Sequence, residues 1–291
     1  MGTIQKEKVR LLAIQMESVI GEPSLNIDTV KNLLIANLEK YEGADFVFLP
    51  EVWTVGWYTT AFLNSAETLE DSKAIKMLSE IAKKYNTNII GGSFIRKQIF
   101  YNPSDDGEGI TSISYFNTCP VINRKGEVVA LYDKNHLFSY YGDNEGSIIT
   151  KGQNPVIVEI DGVKIGLTIC FDIRFPEIYR AYRKAGADIL VNMAAWGKTK
   201  KIPWDTMTTS RAIENQTYMV ALTQTGLLPD GKENLGHSMI IDYNGNILDE
   251  IEDIEGGIYA EVDLAEMYKF RDNCTILKDI KNSYEVEIIH A

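Results

Sequence analysis

Residues 164–184 read KIGLTICFDIRFPEIYRAYRK. Residues 164–169 are mostly apolar and include the β-branched Ile165, Thr168 and Ile169, as a buried strand requires. The stretch after Cys170 reads as a helix, with its clearest helical part at 176–184. A strand running straight into a helix, with Cys170 on the turn between them, is the repeating unit of layered α/β folds.

Working outward, short β-branched runs recur along the chain. They predict strands at 9–15, 45–49, 88–94, 114–123, 128–134, 156–160, 164–169, 188–193, 218–223, 238–242 and 258–262. Helical spacing marks 24–41, with Val30, Leu33, Leu34 and Leu38 on one face, and 71–85, with Ile75, Leu78 and Ile81. Residues 204–215 add another helix. The order is β-α-β-α-β, a β-rich middle, then β-α-β-α-β again. Two such halves fit an α/β architecture of two sheets packed face to face with helices outside. Residues 123–126 and 242–246 read as hairpin loops.

No linker, low-complexity tract or repeat divides the chain, so residues 1–291 are expected to form one domain. A C-terminal tail is expected from about residue 263, and the polar, Gly-rich 139–152 is the expected soft segment.

Lys and Arg total 29 against 41 Asp and Glu, a net charge of -12. Such a surface repels nucleic acid and anionic membranes, so neither is an expected partner. Three cysteines, Cys119, Cys170 and Cys274, lack the spacing of a disulfide framework and suit a reducing compartment. The opening MGTIQKEKVR is charged and does not read as a signal peptide. Apolar runs such as 188–195 fall far short of the roughly 20 residues that span a bilayer. The expected location is the cytoplasm.

Three strand ends carry reactive groups. Cys170, on a strand-to-helix turn, has two open readings. One is a small buried hydrophobe. The other is an exposed nucleophile whose thiolate is favoured by the following helix, with the Phe171 backbone N–H aimed at an oxyanion beside the sulfur. Glu51 ends the apolar strand in DFVFLPEVW, and Lys134 ends another in LYDKNHLF. Each alone reads equally well as a solvated strand-end charge. Together, a carboxylate, an amine and a thiol suit one task. The carboxylate moves protons, the ammonium steadies a tetrahedral intermediate, and sulfur forms an acyl-enzyme.

The segments FLPEVW, YDKNHLF and LTICFDIRFPE resemble, in order and spacing, the signature blocks of the nitrilase (carbon–nitrogen hydrolase) superfamily. YFNTCPVINRKGEVVALYDK, RAIENQTYMVA and GHSMIIDYNGNIL extend the resemblance over about residues 9–262. It implies a Glu-Lys-Cys triad at Glu51, Lys134 and Cys170, and a second glutamate, Glu145, that holds the lysine and substrate. It also implies a four-layer α-β-β-α sandwich, a homodimer packed through helices beside the nucleophile, and no cofactor or metal.

Within the superfamily, LPEVWTVGW and CFDIRFPE are most similar to the ω-amidases, which hydrolyse the side-chain amide of 2-oxoglutaramate and related 2-oxo acid amides. The implied activity is therefore hydrolysis of a small, carboxylate-bearing amide to a carboxylate and ammonia. Two departures bear on the substrate. In the segment from Trp196 to Trp204, Lys200 stands where an arginine is usual and Pro203 where a histidine is. The stretch between His136 and Glu145 is also about two residues longer than usual. An N-carbamoyl amidohydrolase or a deaminated-glutathione amidase would share the triad. A nitrilase fits less well, because Phe171 follows Cys170 where nitrilases have Trp then Glu. A non-catalytic oligomeric scaffold is the rival from another class.

Other signals carry less. Trp196-Gly-Lys-Thr199 imitates the end of a phosphate loop, but Asn192 occupies the position of its first glycine. His136, His237 and His290 fall at no metal spacing. His136 reads as a packing or hydrogen-bonding residue near the lysine, and His290 as solvated. Arg174 is open to two uses, gripping a substrate carboxylate or pairing with Asp172 or Glu177 to support the turn. Trp53, Trp57, Tyr58 and Trp196 are candidate pocket walls or core residues.

Overall fold

The computed structural model of the protein describes residues 7–103, 109–140, 144–281 and 283–289. The expectations for residues 1–6, for part of the 139–152 segment and for His290 lie outside the described residues.

The chain builds two mixed sheets. In the first, β1 (Lys8–Gln15), β2 (Phe46–Phe48) and β3 (Asn88–Ile90) run parallel. Antiparallel β13 (Gly256–Asp263) lies beside β1, and β5 (Gly109–Ile122) beside β3, with β4 (Phe94–Pro103) and β6 (Val128–Asp133) pairing onto β5. The second sheet has β8 (Val163–Ile169), β9 (Ile189–Met193) and β10 (Tyr218–Leu222) in parallel. Antiparallel β7 (Val156–Ile160) pairs with β8, while β11 (Ser238–Ile241) and β12 (Ile247–Ile251) extend the sheet beyond β10.

The helices are α1 (Pro23–Lys40), α2 (Thr59–Phe62), α3 (Lys73–Tyr85), α4 (Pro176–Lys184), α5 (Lys201–Asn215) and α6 (Leu264–Asn273). The two expected halves are thus β1-α1-β2-α3-β3 and β8-α4-β9-α5-β10.

Strand β1 shows how the layers form. Val9, Leu11 and Ala13 pack with Ile165, Leu167 and Ile169 of the other sheet. The alternate residues Leu12 and Ile14 face out, onto Val30, Leu34 and Leu38 of α1 and Leu78 and Ile81 of α3. Both faces of the strand are therefore apolar and buried, each such side chain contributing about 1.5–3 kcal/mol. The result is a four-layer α-β-β-α sandwich.

Local chemistry sets the element ends. Ser72 caps α3 by accepting from Ile75 N, and Asn86 closes it in the left-handed conformation. The 123–126 and 242–246 hairpins form as expected, with Gly126 and Gly245 at positive φ.

The structure corrects three local expectations. Residues 88–94 are not one strand: β3 stops at Ile90 and the chain turns at Gly91–Ser93 before β4. Gly92, at φ 64°, passes so close to the 49–50 backbone that a Cβ would sit 2.2 Å from Pro50 O. The stretch after Cys170 is not continuous helix. Cys170–Arg174 is a short 3-10 turn, and α4 starts only at Pro176, whose ring holds Phe175 extended. The region after 263 opens with α6, which buries Leu264 and Met267.

Candidate active site

Glu51, Lys134 and Cys170 each follow a strand end: β2 and β6 of one sheet, β8 of the other. The carboxyl ends of parallel strands are where open α/β sheets collect their ligands. Lys134 Nζ lies 2.8 Å from Glu51 Oε1, and 3.2 and 2.9 Å from the two oxygens of Glu145. All three side chains are fully enclosed. Trp57 covers the ammonium with its ring centroid 4.8 Å away.

Further groups fix the carboxylates. Asn117 of β5 donates to Glu51 Oε1 at 3.0 Å and to Glu145 Oε1 at 3.1 Å. The Ala195 amide, just past β9, donates to Glu51 Oε2 at 2.9 Å. Phe138 N donates to Glu145 Oε2 at 2.7 Å. The Gln224 side chain, past β10, holds the Glu51 backbone carbonyl at 2.6 Å. Four strands of the fold thus converge on one carboxylate and its backbone.

The electrostatics follow from this enclosure. Burial pushes the Glu51 carboxyl up from 4.5 and the Glu145 charge adds to that, with Lys134 opposing. For Lys134 burial works against the charge, but Glu145 and Glu51 outweigh it and hold the ammonium above its usual range. Burial also raises the Cys170 thiol well above 9.0, helped by the neighbouring Glu51 carboxylate, while Lys134 lowers it. This departs from the expectation of an exposed thiolate with a lowered pKa: Cys170 is buried, its thiol is pushed up and not down, and the residues after it form a 3-10 turn, with α4 starting only at Pro176. A neutral thiol beside a carboxylate needs that carboxylate to take its proton.

Two residues here sit at positive φ without being glycine: Cys170 at 46° and Val52, next to Glu51, at 39°. A β-branched residue in that region is an outlier that costs of order 1–3 kcal/mol. The surroundings hold both turns. Val52 N donates to Ser93 Oγ at 2.9 Å, and Asn192 Nδ2 donates to Cys170 O at 3.3 Å.

Asp172 ties the lysine strand to the cysteine turn. Its carboxylate accepts from Ile169 N at 2.9 Å, from Tyr132 OH at 2.6 Å and from His136 N at 2.9 Å, and meets His136 Nδ1 at 2.7 Å. Tyr132 and His136 flank Lys134, while Ile169 and Asp172 flank Cys170, so one buried carboxylate sets the separation of amine and thiol. The His136 ring also stacks on Phe175 at 3.7 Å.

Cys170 opens onto a pocket of about 150 Å³ walled by Trp57, Tyr58, Phe138, Phe171 and Trp196. A cavity near that volume holds a benzene-sized molecule, so its closed part suits a small substrate and not a folded peptide. Arg174 and Lys200 stand in its wall. Arg174 lies 5.8 and 5.5 Å from the Phe171 and Trp196 ring centroids, and Lys200 Nζ lies 5.1 Å from that of Phe138.

The sequence profile of the carbon–nitrogen hydrolase family matches residues 10–272. The chain belongs to the carbon–nitrogen hydrolase family. It is 34% identical to a 2-oxoglutaramate amidase of Bacillus subtilis over 275 residues, 94% of this chain and 98% of that one. It is 33% identical to a deaminated glutathione amidase of Dictyostelium discoideum, covering 77% of each chain. Nit3 of Saccharomyces cerevisiae, a member of branch 10 of the nitrilase superfamily, has the same fold at 24% identity and TM-score 0.82, with 96% of this chain and 98% of that one covered.

In this carbon–nitrogen hydrolase the residues singled out from sequence fall into two groups. Glu51, Lys134, Glu145 and Cys170 meet in one cluster, and Phe171, Arg174 and Trp196 line the pocket beside it. Arg174 does not pair with Asp172, whose bonds go to Tyr132, His136 and Ile169. Trp57, Tyr58 and Trp196 are pocket walls, whereas Trp53 is a core residue donating to Gly91 O at 2.8 Å. The altered 196–204 segment does border the pocket through Trp196, Gly197 and Lys200, and Trp196 Nε1 donates to Lys200 O at 2.8 Å.

Sequence reading missed Asn117, Asp172 and the Ala195 amide. Asn117, beside Thr118, breaks the apolar character of YFNTCPV with an amide, which was the available signal. A backbone amide leaves none. Among the described residues no helix is long and apolar enough to cross a membrane.

Proposed function

We propose that the chain hydrolyses the terminal amide of a small 2-oxo acid amide of the 2-oxoglutaramate type, releasing ammonia through a Cys170 acyl-enzyme. The observation that carries this reading is the enclosed Glu51–Lys134–Cys170 cluster opening onto a small pocket whose wall carries Arg174, Lys200 and Lys232, with Asp230 and Glu233 beside Lys232. The likeness to the Bacillus subtilis 2-oxoglutaramate amidase supports the substrate class.

The chemistry runs in two halves. Cys170 Sγ attacks the amide carbon as Glu51 takes the thiol proton. Negative charge gathers on the former carbonyl oxygen, where the Lys134 ammonium and the Phe171 N–H meet it. The Phe171 amide stands in the first turn of a 3-10 helix, where backbone donors lack a partner within the helix. As the C–N bond breaks, Glu51 passes its proton to nitrogen and ammonia leaves. Water then attacks the thioester carbon while Glu51 takes its proton. The C–S bond breaks, the proton returns to sulfur, and the product departs as a carboxylic acid that ionises in solution, its proton taken up by the released ammonia.

Glu145 keeps Lys134 charged and oriented throughout. Arg174, flanked by two aromatic rings, and Lys200 receive the distal carboxylate of the substrate. The reading extends to a single-domain enzyme that works in the cytoplasm as a homodimer packed through the helices beside Cys170. Light scattering on the purified chain measures the dimer.

The test of function is an ammonia-release screen across 2-oxo acid amides, neutral amides, carbamoyl compounds, deaminated glutathione and nitriles. The proposal expects the highest kcat/KM with a short 2-oxo acid amide and ammonia as the only gas-forming product. Carbon dioxide released with ammonia would make it an N-carbamoyl hydrolase, and a preference for deaminated glutathione would move it to that amidase group.

A further inference from the structure

One run of chain joins the two ends of the pocket. The Ala195 amide donates to Glu51, Gly197 lines the pocket wall, and Lys200 stands in the same wall with its amide donating to Gly197 O at 2.9 Å. With the scissile amide at Cys170 and the distal carboxylate on Arg174 and Lys200, the middle of the acyl chain passes Gly197.

Gly197 has φ -72° and ψ 136°, an extended backbone that any residue adopts. A Cβ built on it would meet no atom within 4 Å. Among the described glycines Gly231 shares that open space, but its φ is 82° and it is not part of the pocket wall. Neither backbone strain nor crowding therefore calls for glycine at 197. Its effect is a notch in the wall where a side chain would stand.

Asn234 borders the notch. It pairs with Gly197 across an antiparallel bridge. Residues so paired carry their side chains on one face, about 4.5–5.5 Å apart. Asn234 lines the pocket and is 3% exposed. Among the described residues its side chain makes one hydrogen bond, from Nδ2 to Thr225 O, long at 3.4 Å. A carboxamide has two N–H donors and two acceptor sites, so most of this capacity is unspent.

The backbone around Asn234 is fixed. Leu235 N donates to Trp196 O at 2.6 Å, Lys198 N to Glu233 O at 2.9 Å and Asn234 N to Gly226 O at 2.9 Å. The acids of this wall are engaged, Glu233 with Lys198 and Asp230 with Lys232 at 2.7 Å. What Asn234 presents to the notch is a neutral carboxamide, suited to an uncharged oxygen.

We infer that Asn234 and the Gly197 notch recognise the 2-oxo group of the substrate, with Asn234 Nδ2 donating to the carbonyl oxygen beside the distal carboxylate. This rests on the 2-oxo acid amide reading and names the residues that tell such an amide from a plain one of equal length. A site built to hydrogen-bond a substrate oxygen is left with an unpaired group when that oxygen is missing. One neutral hydrogen bond corresponds to about tenfold in affinity.

The test is calorimetric titration of Cys170→Ala, which binds without turnover, with 2-oxoglutaramate and with glutaramate, its analogue lacking the oxo group. Binding of 2-oxoglutaramate should be at least about tenfold tighter. Adding Asn234→Ala should cut that ratio to about twofold or less. Gly197→Ala, whose methyl enters the notch on an unstrained backbone, should do the same. A merely structural role for Asn234 would weaken both ligands alike and leave the ratio as it was. No saturable binding of 2-oxoglutaramate, equal binding of the two ligands by Cys170→Ala, or a ratio kept in either variant would overturn the assignment. Turnover of 2-oxoglutaramate by the parent decides the proposed reaction separately, because the ratio is read without catalysis.

Discussion

Lys134 Nζ lies 2.8 Å from Glu51 Oε1 with neither side chain reached by solvent, and Glu145 completes a cluster of two carboxylates around one ammonium. Formal charge there sums to minus one if all are ionised, which suits a group that must accept a proton from a neutral thiol. Removing the cation should therefore do more than remove a catalyst. Lys134→Met leaves two buried carboxylates facing each other and is expected to lose about 3–5 kcal/mol of stability, measured by urea unfolding. Its stability should also fall more steeply than the parent's as pH rises above 4.5, the ordinary glutamate value.

The sign for the parent enzyme follows from Glu51. Its carboxyl is raised in the folded state, so the native form binds more protons there than the unfolded chain does. The stabilisation this gives is complete below 4.5 and fades as pH rises through the folded value. Activity needs the ionised base, so the acid limb of kcat/KM should lie above 4.5, and it belongs to the coupled cluster rather than to one residue. Lys134 is raised, so its loss of charge should bring no alkaline limb below 10.5. A pH–rate profile on a slow amide substrate reads both.

The Cys170 thiol is pushed well above 9.0, so its reactivity at neutral pH depends on Glu51. Alkylation of Cys170 by iodoacetamide, followed by peptide mass mapping, should slow by about 10²–10⁴-fold in Glu51→Gln. Cys274, partly exposed, should react at the same rate in both proteins, while Cys119, fully enclosed, should stay unmodified in the native state.

Asp172 holds donors from Tyr132, His136 and Ile169 in one buried carboxylate. Asp172→Ala would strand these groups, at about 1–3 kcal/mol for each one left unmet. The expected result is a clear drop in Tm together with a fall in kcat larger than any change in KM, since the spacing of Lys134 and Cys170 slackens while the pocket walls remain.

Substrate recognition is testable through Arg174. A hydrogen bond to a charged group contributes about 1.5–3 kcal/mol. Arg174→Met should therefore lower kcat/KM for carboxylate-bearing amides roughly 10- to 100-fold and leave neutral amides nearly unchanged. Equal losses for both would remove Arg174 from carboxylate binding.

The layered fold was legible because its signals are local. Strands β1, β8, β9 and β10 are short runs dominated by apolar residues, and α3 and α4 show helical spacing with clear start signals. The elements that escaped have weaker patterns. Strand β4 begins FIRKQ, where charged and polar residues mask the alternation, and β12, ILDEI, is short and largely exposed. The break at Gly91–Ser93 is set by close passage beneath Pro50, a contact remote in sequence.

At the site, the motif blocks identified Glu51, Lys134, Glu145 and Cys170, but not their protonation. The burial that raises the Cys170 thiol comes from the whole fold, and a strand-end position suggested the opposite. Asp172 stands two residues after Cys170, yet its role depends on Tyr132 and His136, 40 and 36 residues away.

The central claim is that Cys170 carries the acyl group. The direct measurement is rapid acid quench of the enzyme with 2-oxoglutaramate, followed by intact mass and peptide mapping. The account predicts a mass increase equal to the acyl fragment, confined to the peptide bearing Cys170, formed with a matching burst of ammonia. Cys170→Ala should show neither adduct nor turnover while keeping the parent's circular dichroism. Undiminished ammonia release by folded Cys170→Ala, or an acyl group mapped to another residue, would contradict it.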